Sequence, residues 1–104
     1  MTTESKFGIP WEAWKNILAV IRQTAPESEV ILYGSRAKGN YKPGSDIDLC
    51  LKWTSLTNSD LQIINIALED LDLPWEIDLA LYQTVSNPML LEHIDRVGIS
   101  INDL

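Results

Sequence analysis

Asp46 and Asp48 stand two positions apart in the run SDIDLCL. On an extended strand that spacing sends both carboxylates to one face, roughly 6 to 7 Å apart. At an effective dielectric near 20 they repel by on the order of 2 to 3 kcal/mol. A bound cation would relieve this, and so would exposure to water on a solvated edge strand, where the repulsion is small. Ile47, Leu49 and Leu51 alternate with the acids and argue for a strand packed on a core. A third acid, Asp78, sits in the middle of another apolar run, WEIDLALY. Carboxylates brought together from adjacent strands form a hard oxygen donor set that suits Mg²⁺ or Mn²⁺. With one Cys and one His in the whole chain, a zinc site has no ligand set to draw on.

Just upstream lies YGSRAKG. Gly34 closes a β-branched run, EVILYG, and allows close approach of a ligand to the backbone. Ser35 offers a hydroxyl and an expected helix cap, and Arg36 and Lys38 follow. Strand, tight turn and helix start together read as an anion cradle. A Gly-Ser pair taken alone also fits an ordinary turn, and the G-x-x-x-x-G-K-[ST] spacing of a Walker loop is absent. The chain carries a formal charge of −7, yet Arg36, Lys38, Lys42 and Lys52, half of its eight cations, cluster around this segment. A local anion site on an acidic protein is the implied arrangement, and direct nucleic-acid binding is not expected.

Taken together, Gly34-Ser35, ten intervening residues, Asp46-Ile47-Asp48 and then Ile77-Asp78-Leu79 resemble the signature of the DNA polymerase β-type nucleotidyltransferase superfamily. The version GSRAKG…SDIDL is similar to its minimal nucleotidyltransferase (MNT) family. The resemblance implies that Gly34 and Ser35 hold the β- and γ-phosphates of a nucleotide, with Arg36 and Lys38 beside them. It implies that Asp46, Asp48 and Asp78 ligate two Mg²⁺ ions, with Mn²⁺ as an alternative, and that Asp78 also orients or deprotonates the acceptor hydroxyl. Lys38 departs from the pattern: many members carry a second arginine there, which adds a bidentate fork that lysine lacks.

The resemblance also implies a partner, a HEPN-domain toxin silenced by transfer of AMP from ATP to a tyrosine hydroxyl, so that the chain would act as antitoxin. Two other readings stand beside it: an MNT-like module that inhibits its partner by contact alone, and a transferase for a small-molecule hydroxyl or a nucleic-acid 3′ end. The sequence ends after the core, without the helical domain with which larger relatives hold an acceptor. That favours a separate acceptor protein.

These residues need a scaffold. A chain of 104 residues, 45% hydrophobic, suggests one domain spanning 1–104. Trp11, Trp14, Ile17, Leu18 and Ile21 recur at helical spacing behind Pro10, expected in the first turn of a helix ending near Thr24. TNSDLQIINIALEDLDLP reads as a second long helix, capped by Ser59 with Gln62 and stopped by Pro74. Asn87 and Pro88 open a last helix that Gly98 ends. The expected fold is an α/β (α+β) one: a small mixed β-sheet with helices packed on one face, a polymerase β-type nucleotidyltransferase core. No secretion signal or membrane-length apolar run is read in the sequence, so a cytoplasmic, non-membrane protein is expected, as homodimer or hetero-oligomer. Cys50 is expected to be a buried structural thiol, Trp53 and Trp75 core or interface residues rather than base-stacking ones, and His93 an edge-of-core residue.

Overall fold

The structure, a computed structural model, describes residues 4–104. Four strands form the main sheet: β3 (Glu29–Tyr33), β4 (Ile47–Lys52), β5 (Ile77–Leu81) and β6 (Ile99–Ser100), in the order β5-β4-β3-β6. β4 and β5 run parallel, whereas β3 is antiparallel to both β4 and β6. The parallel pair requires a crossover, and α3 (Asn58–Glu69) supplies it. A two-stranded ribbon, β1 (Ser5–Lys6) with β2 (Ile9–Pro10), precedes α1 (Trp11–Thr24). A short α2 (Gly34–Lys38) follows β3, and α4 (Pro88–Val97) lies between a 3-10 turn and β6.

Strand alternation decides what each face meets. Val30 and Leu32 of β3, Ile47, Leu49 and Leu51 of β4, and Leu79 and Leu81 of β5 join one buried cluster with Trp14, Ile17, Leu18 and Ile21 of α1 and Ile64 and Leu68 of α3. A 14-residue helix is marginal alone, and each large apolar side chain buried contributes about 1.5–3 kcal/mol, so α1 is held by packing rather than propensity. The opposite register, Ile31, Tyr33 and Cys50, packs on Ile94 of α4. The mixed α/β sheet is therefore as expected, and the two long helices share one face. α4 does not join them: its amphipathic stripe covers the second face, because β3 presents large apolar residues on both sides.

Several local expectations shift. α3 is capped by Thr57, not Ser59: the Thr57 hydroxyl accepts the Asp60 amide at 3.2 Å while the Asp60 carboxylate accepts the Thr57 amide at 3.0 Å. The helix ends at Glu69, well before Pro74, in a turn where Asp72 adopts a positive φ of 52°. Pro10 occupies the cap position ahead of α1 rather than its first turn. Trp11 lies at the rim, 36% exposed, while Ala13 takes part in the core. Asn87 caps α4 as expected, accepting the amides of Met89 and Leu90.

Candidate active site

The acids meet through register. In the sheet Asp48 is the partner of Tyr33 on one side and of Asp78 on the other. Paired residues of neighbouring strands point to the same face across a spacing of about 4.8 Å, so the Asp48 and Asp78 side chains stand side by side on the face that α4 only partly covers. Asp46 precedes β4, which begins at Ile47, and the Ile47 amide is fastened to the Glu76 carbonyl at 2.9 Å. Asp46 and Asp78 are exposed and Asp48 is half-buried. Burial pushes the Asp48 carboxyl above the usual carboxylate range, and the negative charges of Asp78 and then Asp46 push it further. Burial first, then the charges of Asp78 and Asp48, hold the Tyr33 phenol well above its ordinary value.

Gly34 follows Tyr33 directly, so the turn and the acids share one corner of the sheet. Its φ of +75° is one that L side chains avoid, and a Cβ there would collide with Asp48 Oδ2. Ser35 is not the cap of α2. Tyr33 holds the cap position without a side-chain bond, and the Ser35 carbonyl accepts the amides of Gly39 and Asn40 at 2.9 and 3.2 Å.

Arg36 is placed differently from the expectation of a nucleotide contact. Its side chain is 1% exposed. Nε and Nη2 donate to the Ser45 carbonyl at 3.1 and 2.8 Å, Nη2 also to Pro43 at 3.2 Å, and Nη1 to Phe7 at 2.8 Å. The Tyr41 ring lies 4.9 Å from the guanidinium carbon. A buried charge is tolerable when carbonyls saturate it, and here Pro43 and Ser45 supply theirs from the loop that ends at Asp46 and Phe7 supplies a third from the β1–β2 turn. Arg36 thus clamps the segment that presents the first acid. Trp75 adds to the clamp, its Nε1 donating to the Pro43 carbonyl at 3.2 Å. Lys38 is exposed on α2.

One neighbour escaped the sequence reading. The Gly34 amide donates to His93 Nε2 at 3.2 Å, and the imidazole meets Tyr33 edge-on with centroids 6.1 Å apart. No spacing rule connects position 93 to position 34; only the packing of α4 on β3 does. Trp53, in contrast, sits beyond the far end of β4, about 17 Å along the strand from Asp48. It cannot stack on a base bound at this corner.

Among the described residues no group of His, Cys, Asp and Glu side chains closes into a metal cage. Mg²⁺ does not need one: it is commonly held by one or two carboxylates with waters and substrate phosphates. Oxygen donors only, an open arrangement, and carboxylates whose charges work against one another fit such an ion.

A family of nucleotidyltransferase domains matches residues 14–97. The chain belongs to that family. This nucleotidyltransferase is 30% identical over 91 residues, 83% of its length and 76% of the relative's, to a Haemophilus influenzae protein named "Probable protein adenylyltransferase MntA". Its fold is shared with a solved toxin-antitoxin structure with AMP-PNP, at a TM-score of 0.66 and 22% identity over 83% of this chain and 69% of the other. It is shared equally with a structure of tri-AMPylated Shewanella oneidensis HEPN toxin in complex with MNT antitoxin, at a TM-score of 0.62 and 20% identity over 86% and 68%. No helix among the described residues of the nucleotidyltransferase is long and apolar enough to cross a membrane.

Proposed function

We propose that this nucleotidyltransferase moves AMP from ATP to a hydroxyl of a partner protein, a tyrosine of a HEPN toxin, and thereby acts as its antitoxin. The observation that carries the reading is the register of Asp48 with Asp78 beside the Gly34 turn. A backbone turn with no side chain in the way, set beside paired acids, suits phosphoryl transfer, since its catalysis is mostly positioning and charge stabilisation. The names of the MntA relative and of the toxin-bound neighbours support the choice of AMP and of a HEPN acceptor.

In the proposed reaction the acceptor oxygen attacks the α-phosphorus, the bond from that phosphorus to the bridging oxygen of the β-phosphate breaks, and pyrophosphate leaves. The proton of the acceptor hydroxyl passes to the Asp78 carboxylate, which is exposed and able to release it to water. Asp46 and Asp48, with Asp78, are the residues that would hold two Mg²⁺ ions. When bound, these neutralise charge on the attacking and leaving oxygens. Gly34 and Ser35 line the side where the β- and γ-phosphates would lie. Lys38, exposed on α2, supplies positive charge near them, and Arg36 keeps the Asp46 loop in place.

The test combines the purified protein, Mg²⁺, α-labelled ATP and the HEPN product of a neighbouring gene. Label on a tyrosine of the partner, lost with Asp48→Asn, is the expected result. Equal labelling by wild type and Asp48→Asn, or none with wild type while the partner is still neutralised, would overturn the reading in favour of inhibition by contact.

A further inference from the structure

His93 reaches the site from an element that plays no part in the motif. It projects from α4 toward the end of β3, half-buried, with its ring edge-on to Tyr33 at an interplanar angle of 80°. Its Nε2 accepts the Gly34 amide at 3.2 Å. An imidazole nitrogen that accepts carries no proton, so the ring proton sits on Nδ1. Gly34 is therefore held from two directions, its amide by His93 and its Cα side by the Asp48 carboxylate.

This has a consequence for the division of labour within the Gly34–Ser35 pair. A backbone amide has one hydrogen to donate, and the Gly34 hydrogen is taken. The engaged group of Ser35 is its carbonyl, which faces back into α2 toward Gly39 and Asn40. Its amide and hydroxyl are the donors that remain to meet an anion.

We infer that His93 is a positioning residue for the phosphate turn: by accepting the Gly34 amide it sets the left-handed turn and leaves Ser35 as the member of the pair that binds the triphosphate. The inference rests on the triphosphate reading of the site and assigns its parts. Without the acceptor, the half-buried amide would seek another partner, and the turn would have to re-form on each binding event.

The test uses the full chain and a non-hydrolysable ATP analogue with Mg²⁺. In the nucleotide-free wild type, ¹⁵N spectra should show the Nδ1–H tautomer of His93 and a through-hydrogen-bond coupling between its Nε2 and the Gly34 amide. His93→Phe keeps a ring against Tyr33 but cannot accept, and should weaken analogue binding roughly fivefold, the worth of about one hydrogen bond. His93→Gln places an acceptor near the same point and should stay within about twofold of wild type. Ser35→Ala should weaken binding at least as much as His93→Phe. Unchanged affinity in His93→Phe, no recovery in His93→Gln, full affinity in Ser35→Ala, or a missing coupling overturns the inference. If wild type binds no analogue, the triphosphate reading fails instead, and the coupling alone still shows whether His93 holds Gly34.

Discussion

The Asp48 carboxylate occupies the space in which a side chain on Gly34 would begin: a Cβ at Gly34 would stand 3.0 Å from Asp48 Cγ and closer still to its Oδ2. The turn proposed to receive phosphate and the acid proposed to receive metal thus share one space, which is free for the carboxylate only because position 34 has no side chain. This coupling makes a glycine obligatory twice over, by φ and by volume.

Gly34→Ala should therefore harm both folding and chemistry. The left-handed backbone costs about 1–2 kcal/mol for a residue with a Cβ. For a domain of this size that corresponds to a fall of roughly 5–15 °C in the unfolding midpoint. Because the methyl also displaces Asp48, nucleotidyl transfer should be lost even at temperatures where the variant is folded. Thermal unfolding followed by circular dichroism and a label-transfer assay check the two halves separately.

Asp48→Asn should divide stability from activity in opposite directions. Burial, then Asp78, then Asp46 raise the carboxyl's proton affinity in the folded state. A group whose folded pKa lies above its unfolded one stabilises the fold below the unfolded pKa, and that contribution is lost as pH rises through the folded value. At neutral pH the ionised Asp48 is thus a source of strain. Without divalent ions the Asn variant should melt above wild type at pH 7, with the difference vanishing near pH 3. Added Mg²⁺ should raise the wild-type midpoint more than the variant's. Transfer activity should drop at least about a hundredfold. A variant less stable than wild type at both pH values would contradict this.

Arg36→Lys should be costly despite keeping the charge. Lysine cannot reproduce a fork that reaches the carbonyls of Ser45, Pro43 and Phe7 together. A loss of about 3 kcal/mol is expected from charged hydrogen bonds broken in a buried site. Urea unfolding should show it, and proteolysis within residues 39–46 should speed up. Lys38→Ala is the contrasting case: stability within about 0.5 kcal/mol of wild type, as for an exposed residue, with weaker binding of triphosphate.

Cys50 should behave as an inert thiol. It is fully buried, and burial pushes its pKa up to about 11. At pH 8 the native protein should resist a thiol reagent such as Ellman's, while denatured protein reacts at one thiol per chain. By the same linkage, the small stability this group contributes is lost as pH climbs from about 9 to about 11.

Much of this was legible along the chain because the physical signals are local. Period-two alternation marked both strands and the shared face of Asp48 and Asp78, though β4 begins only after Asp46; period 3.6 located α1, and the Asn87-Pro88 start with Gly98 at the end located α4. Where two local signals competed, the choice needed geometry. Thr57 and Ser59 are both good caps, and the one three residues ahead of Asp60 won because the carboxylate could close the reciprocal bond. The β1–β2 ribbon went unread because two-residue strands leave no periodicity to detect.

Residue types and spacing by themselves determined the family, the paired acids and the glycine turn, since each is written within a few consecutive positions. Tertiary structure alone decided that Asp78 stands opposite Asp48, that α4 crosses to the other face, that Arg36 grips the loop rather than meeting a nucleotide, and that His93 meets Gly34. The physical reason is common to all of them. Which side chains meet across 30 or 60 residues depends on strand register and helix packing, and those are settled by the burial of the whole core rather than by any local preference.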